Sequence, residues 1–175
     1  MLTRNFWQIA SQLLGRYNNT TRSVSLTNTA GATASEVAFT STSKPYTMLG
    51  SVCLPQVTNY GIAHGVYYGK GRTPATMDDY KMEEPILDGT LGVSEGGTGA
   101  LTIAVNADHL RISGVHQLTN KTDEDIYIWE VGLHILFATG GKAYMVEHTV
   151  LEEPIVVPAG NTISTEYVIK FPYGN

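Results

Sequence analysis

Three histidines are the residues of this chain best placed by type to do chemistry. His64, His116 and His148 each fall on the apolar phase of a strand-like alternation. Three imidazoles delivered by neighbouring strands could ligate zinc, which takes nitrogen, sulfur or carboxylate donors. Nothing in their spacing brings them together, and a half-buried histidine bonded to backbone near a strand end is far more common than a metal site. The expectation is no metal centre. A fourth, His134, is expected opposite Glu147 as a cross-strand polar pair. Gly69-Lys-Gly-Arg-Thr73 lacks the glycine spacing of a P-loop, and no helical pattern follows it. Asp78, Asp79, Glu83 and Glu84 lack the alternation and central glycine of a calcium loop, so they read as a solvated acidic loop. No Gly-x-Ser-x-Gly elbow marks a nucleophile, and nothing selects a carboxylate pair for glycoside chemistry. No catalytic residue and no cofactor are expected.

The totals point the same way. The 175 residues suit one domain, or one domain with an arm. Hydrophobic residues make up 42% and charged ones 15%, which describes a well-buried chain with little charge to spare. A net charge of −5, with eleven scattered basic residues, argues against nucleic acid, since phosphate binding needs clustered Lys and Arg. Cys53 is the only cysteine, which excludes an intrachain disulfide and a cysteine zinc motif. Gln8, Ser11 and Gln12 interrupt any signal-peptide core, and no window approaches the roughly 18 apolar residues of a membrane span. A soluble protein that is not exported and makes no membrane contact is expected.

The elements that must position these residues are strands. From Tyr127 the odd positions run Tyr127, Trp129, Val131, Leu133, Ile135 and Phe137, one apolar face of a long strand. Gly140-Gly141 can form a two-residue hairpin loop. Pairing outward from it joins residues 126–138 to 143–151, with Phe137 opposite Tyr144, Ile135 opposite Val146, Leu133 opposite His148 and Val131 opposite Val150. Further strands are expected near 36–40, 46–54 and 60–68, at Leu101–Val105, at Leu110–Leu118 after a turn at Asn106–His109, and at Ile163–Phe171. Met82-Glu-Glu-Pro-Ile-Leu87 echoes Leu151-Glu-Glu-Pro-Ile-Val156, and each proline is expected to mark a strand start. Many short strands with turns between them give a mainly β fold, an antiparallel β-sandwich of jelly-roll-like type with one short N-terminal helix.

That helix spans residues 3–14. Thr3 is its N-cap, and Phe6, Ile9, Ala10 and Leu13 share a face. A polar stretch, 17–34, follows, with Val24 and Leu26 as a short strand inside it. The domains are therefore a helical arm, 1–16, and a β-sandwich, 17–175. Phe6, Trp7, Ile9, Leu13 and Leu14 are candidate assembly contacts, because an apolar stripe on a tethered helix is a partner site. The loop from Gly69 to Glu84 exceeds the usual connection length, and Lys70, Arg72, Asp78, Asp79 and Tyr80 are its candidate contacts.

Three pieces together resemble the small virion structural proteins of tailed bacteriophages. They are the opening Met1-Leu-Thr-Arg-Asn-Phe-Trp7, the stretch Gly65-Val-Tyr-Tyr-Gly-Lys-Gly-Arg-Thr-Pro through Glu-Glu-Pro-Ile86, and Glu130-Val-Gly-Leu133 followed by a hairpin and Pro158-Ala-Gly-Asn-Thr162. Met82, where leucine or alanine is usual, and the basic Lys70 and Arg72 depart from the pattern. The resemblance implies a non-enzymatic subunit assembled in the bacterial cytoplasm: a capsid decoration or head-fibre protein, or else a neck, tail or baseplate component. Its partners would be other virion proteins and further copies of itself. A chain with ten tyrosines also admits the alternative of a host-glycan recognition module.

Overall fold

In a computed structural model, the structure describes residues 1–14, 22–39, 65–86, 90–95, 102–137 and 142–172. His64, Cys53, the Gly140-Gly141 turn and the strand expected at 46–54 lie outside these residues. The fold is mainly β and antiparallel, with one short N-terminal helix, α1 (Arg4–Leu14). The strands are β1 (Arg22–Thr27), β2 (Thr33–Phe39), β3 (Gly65–Gly69), β4 (Leu91–Glu95), β5 (Thr102–Val105), β6 (His109–Asn120), β7 (Ile126–Phe137), β8 (Lys142–Val157) and β9 (Thr162–Pro172).

One sheet runs β3-β7-β8. In the second, β4 and β5 pair with opposite ends of β6, and β9 pairs with β6 along eleven residue pairs. A shared apolar core lies between them, with Leu118, Ile112 and Ile169 from the β6-β9 side meeting Ile128, Leu133 and Val146 from the other. Two polar contacts cross the same gap. Tyr68 Oη of β3 lies 2.7 Å from His116 Nδ1 of β6, and Tyr167 Oη of β9 donates to Glu147 of β8 at 2.7 Å.

The second sheet follows its sequence pattern. On β6, Ile112, His116 and Leu118 are buried while Val115 and Gln117 are exposed. The turn at 106–109 closes with Asn106 N donating to His109 O.

β7 does not keep one phase. Ile126 and Ile128 are buried while Tyr127 is exposed, yet Val131 and Leu133 join the same core. The register shift between Ile128 and Glu130 explains this: extra residues at a bulge turn the following side chains to the other face. The expected hairpin register is corrected by the same irregularities. Ile135, not Phe137, stands opposite Tyr144, Leu133 stands opposite Glu147, and Val131 opposite Thr149. Pro154 lies inside β8 rather than at a strand start, within the jump from Val150 to Ile155, where a missing N–H breaks no ladder bond.

Of the stretch after the helix, residues 22–34 form strand and turn rather than a tether. Its Asn28–Ala32 turn joins β1 to β2, with Asn28 Oδ1 accepting from the amides of Ala30 and Ala32. Asn5 of α1 grips Thr27 of β1 through both of its amide atoms, at 2.8 and 2.9 Å. Thr3 sits where a cap belongs, and its hydroxyl donates to Met145 O of β8 at 2.8 Å. The helix therefore packs on its own sandwich. Phe6 and Ile9 are buried in the common core, and Phe6 stacks on Phe171 at 5.8 Å. Trp7 is 52% exposed; the side chains of Leu13 and Leu14 lie outside the description.

Candidate functional site

The long loop of residues 70–84 is a strap whose two ends are stitched together. Gly69 bridges Pro85, Lys70 N donates to Glu84 O, and Ile86 N donates to Tyr68 O. Inside the strap, two carboxylates replace regular structure. Glu83 accepts from the amides of Arg72 and Thr73 and from the Thr73 hydroxyl. Asp79 accepts from the Thr76 amide and hydroxyl. These bonds hold both acids below the ordinary carboxylate range. The acidic loop is thus cross-braced rather than merely solvated.

Beneath the strap lies Glu130 of β7, fully buried. Its carboxylate accepts three strap amides, from Gly71 at 3.1 Å, Glu83 at 3.0 Å and Glu84 at 2.7 Å. It also receives Nε2 of His148 at 3.0 Å, while Nδ1 of the same ring bonds Asp79 of the strap at 2.6 Å. A ring with an ionised carboxylate on each nitrogen donates to both only as the imidazolium, the form this geometry favours. Burial alone would lower its pKa, but the bonds and charges of Glu130 and Asp79 outweigh burial and raise it above the ordinary 6.5. Burial would likewise raise Glu130, and His148 with the amides of Glu84, Glu83 and Gly71 brings it below the ordinary value instead.

The glycines around this carboxylate are a steric requirement. A Cβ on Gly69 would stand 2.3 Å from Glu130 Oε1 and 2.6 Å from Glu84 O, and one on Gly71 would stand 2.8 Å from Glu130 Cδ. Gly132 gives the same clearance to Met82, the strap's buried side chain, whose Cγ would be 3.1 Å from a Cβ there.

The chain start closes the third side. Arg4 N donates to Met77 O of the strap and Arg4 Nε to Asp78 at 2.7 Å. Leu2 bridges Glu147, and the Met1 ammonium contacts Glu147 Oε1, Thr149 Oγ1 and the His148 carbonyl.

Of the candidate loop contacts, Asp79 is turned inward onto His148, and Asp78 is paired with Arg4. The Arg72 guanidinium lies 3.7 Å over the Trp129 ring, and Tyr80 is half-buried. Lys70 is exposed.

The other histidines are held differently. His116 bonds Tyr68, and His134 stacks on Tyr67 at 4.4 Å. Nε2 of each is buried without a partner among the described residues. Burial lowers the His116 pKa and raises that of Tyr68. Burial, with the charge of His148, pushes His134 down to about 4. The expected His134–Glu147 pair does not form, because His134 stands opposite Met145; Glu147 bonds Met1 and Tyr167 instead. Among the described residues, no three His, Cys, Asp or Glu side chains form a group able to hold a metal.

Glu130, Glu147, Tyr68 and Tyr167 were not site candidates from the sequence. The usable signal for Glu130 is a lone carboxylate in the otherwise apolar run from Ile126 to Leu133.

Chemically, the cluster is saturated. His148 has no free lone pair to take a proton, and Glu130 spends its oxygens on four donors. Its arrangement can bind a loop; it cannot act as a general base without first letting go. Comparison of the chain with protein-family models, with curated proteins and with solved structures gives no match. The fold and site define an antiparallel β-sandwich carrying a strap clamped by buried charge.

Proposed function

We infer that this protein is a non-enzymatic structural subunit, a phage virion component of the capsid-decoration or head-associated kind. One observation carries the reading. Parts of all three sequence pieces that resemble such proteins meet at one place: the chain start, the 65–86 stretch and Glu130-Val-Gly-Leu133 form three sides of the same clamp, while Pro158–Thr162 lies against Asn120–Asp125. Pieces that lie far apart in the chain and contact one another form a unit that a family would keep together. A buried charge cluster with every donor answered fixes the shape of a presenting surface, which is what a repeated assembly contact needs.

With Phe6 and Ile9 committed to the sandwich core, Trp7 and the strap's outer residues Lys70 and Met77 remain for docking. The partners are other virion proteins and further copies of the chain. The test is antibody labelling of purified phage particles in the electron microscope, together with a Trp7→Ala variant. Label at one fixed position on the particle, and loss of incorporation by a variant that keeps its melting temperature, are the expected results. Particles free of the protein, combined with binding on a glycan array, would replace this reading with host-glycan recognition.

A further inference from the structure

The clamp holds the strap through the Glu130 carboxylate and through one ionisable ring, and the geometry dictates what removing the ring's proton does. His148 bonds Asp79 and Glu130 at once. A neutral imidazole has one N–H and one lone pair, so it can donate to only one of them and must turn its lone pair toward the other carboxylate. Asp79 belongs to the strap and Glu130 to β7. Loss of the proton therefore breaks one of the two charged bonds that tie the strap to the sheet through this ring, and sets an imidazole lone pair against a carboxylate.

We propose that residues 70–84 form a releasable strap, latched onto the β7-β8 face by the proton on His148 and freed when that proton leaves. The proposal stands on the strap's geometry alone and does not depend on the assembly reading. Releasing the strap also withdraws Met82, 3% exposed, from its seat over Gly132 and Met145. An apolar surface is uncovered in the same movement, and Arg72 leaves the Trp129 ring.

The charged groups around the latch set its sign. From the strap, Asp79 faces His148 and Glu83 faces Glu130. From β7, Glu130 and the uncharged His134 face it. On β8, Glu147 is ion-paired with the Met1 ammonium, which also touches the His148 carbonyl. The two carboxylates in direct contact favour the cation, so the latched ring has a pKa above that of the released ring, whose ordinary value is 6.5. With Asp79 and Glu130 ionised, the latch is therefore complete below 6.5, weakens as pH rises from there through the latched value, and is lost above it. The opening constant climbs about tenfold per pH unit inside that window and flattens beyond it. On the acid side, Asp79 and Glu130 have lowered values, so protonating them opens the strap as pH falls.

The experiment is amide hydrogen exchange read residue by residue and corrected for intrinsic rates, on the full chain titrated upward from neutral pH. A Trp7→Phe variant, which leaves Trp129 as the sole tryptophan, reports Arg72 leaving the ring by fluorescence. Protection at Gly71, Glu83 and Glu84 should fall about tenfold per pH unit while amides of the β6-β9 pairing hold, with the fluorescence change in step. Asp79→Asn keeps an acceptor but removes a charge, and should move the transition to lower pH. His148→Gln should leave the strap open and its exchange flat with pH. If His148→Gln does not fold, Asp79→Asn decides alone. Constant protection of the strap amides through the His148 titration, a loss shared equally by β6-β9, or an unmoved transition in Asp79→Asn would each overturn the proposal.

Discussion

The sandwich buries histidines in two ways, and they behave as opposites. On the strap side, His148 meets a carboxylate at each nitrogen and is held charged despite burial. Across the core, His116 bonds the Tyr68 phenol through one nitrogen and stacks on the Tyr167 ring, its other nitrogen has no partner among the described residues, and burial lowers its pKa. His134, only fourteen positions before His148 and close enough to feel its charge, is neutral too. Burial is therefore not what sets the charge state. The count of acceptors at the ring nitrogens does.

The contrast can be broken most forcefully at Glu130. Glu130→Ala strands three strap amides and an imidazolium in a buried site. Removing one partner of such a pair costs about 3–5 kcal/mol, which urea unfolding should register. The matching change across the core, Tyr68→Phe with His116→Phe, removes both partners of one bond together. Its cost should be under about 1 kcal/mol, because no polar group is left stranded. If the two changes cost the same, the difference drawn between the regions is wrong.

Acid should sharpen the contrast next. A histidine whose folded pKa is lowered binds its proton more readily when unfolded, so stability falls as pH drops below 6.5 toward the folded value of about 4 for His134. The slope is about 1.4 kcal/mol per pH unit for one such group. Melting of wild type and His134→Phe across that range should show the slope flattened in the variant. His148 contributes the opposite sign, losing stability as pH rises above 6.5.

A smaller effect tests the shape of the clamp. Gly69→Ala would force a methyl against Glu130 and the Glu84 carbonyl, an overpacking that costs about 1–3 kcal/mol. Alanine at Gly160, where a Cβ would meet nothing within 4 Å but φ is 64°, should cost less, about 1 kcal/mol of backbone strain. Thermal melts of the two variants rank them.

Much of the scaffold is legible in the sequence because alternation reports burial directly. β9 keeps one phase along its length, and β6 does so apart from the buried Ser113, with its inward apolar residues those the pattern marks. β7 is not legible in that way. Its bulge near residue 129 reverses the phase, and apart from Glu130 the residues around it are apolar in both phases, so the alternation shows no break where the geometry does. The hairpin register fails for the same reason. The site is harder still: Asp79 and His148 are 69 positions apart, and only the closing of the strap brings them together. His148 could be singled out by type, but its partners could not. The Gly69-Lys-Gly71 pair carried a signal that reads correctly only once Glu130 is known to press against it.

The account rests on His148 being a buried cation while His134 in its own sheet and His116 across the sandwich are neutral. Nitrogen-15 chemical shifts of the imidazole rings at neutral pH measure that directly, since protonated and bare ring nitrogens resonate far apart. The prediction is that both nitrogens of His148 carry protons, with a pKa above 6.5, and that His116 and His134 each show one protonated and one bare nitrogen. A His148 ring with a bare nitrogen at neutral pH would contradict the clamp.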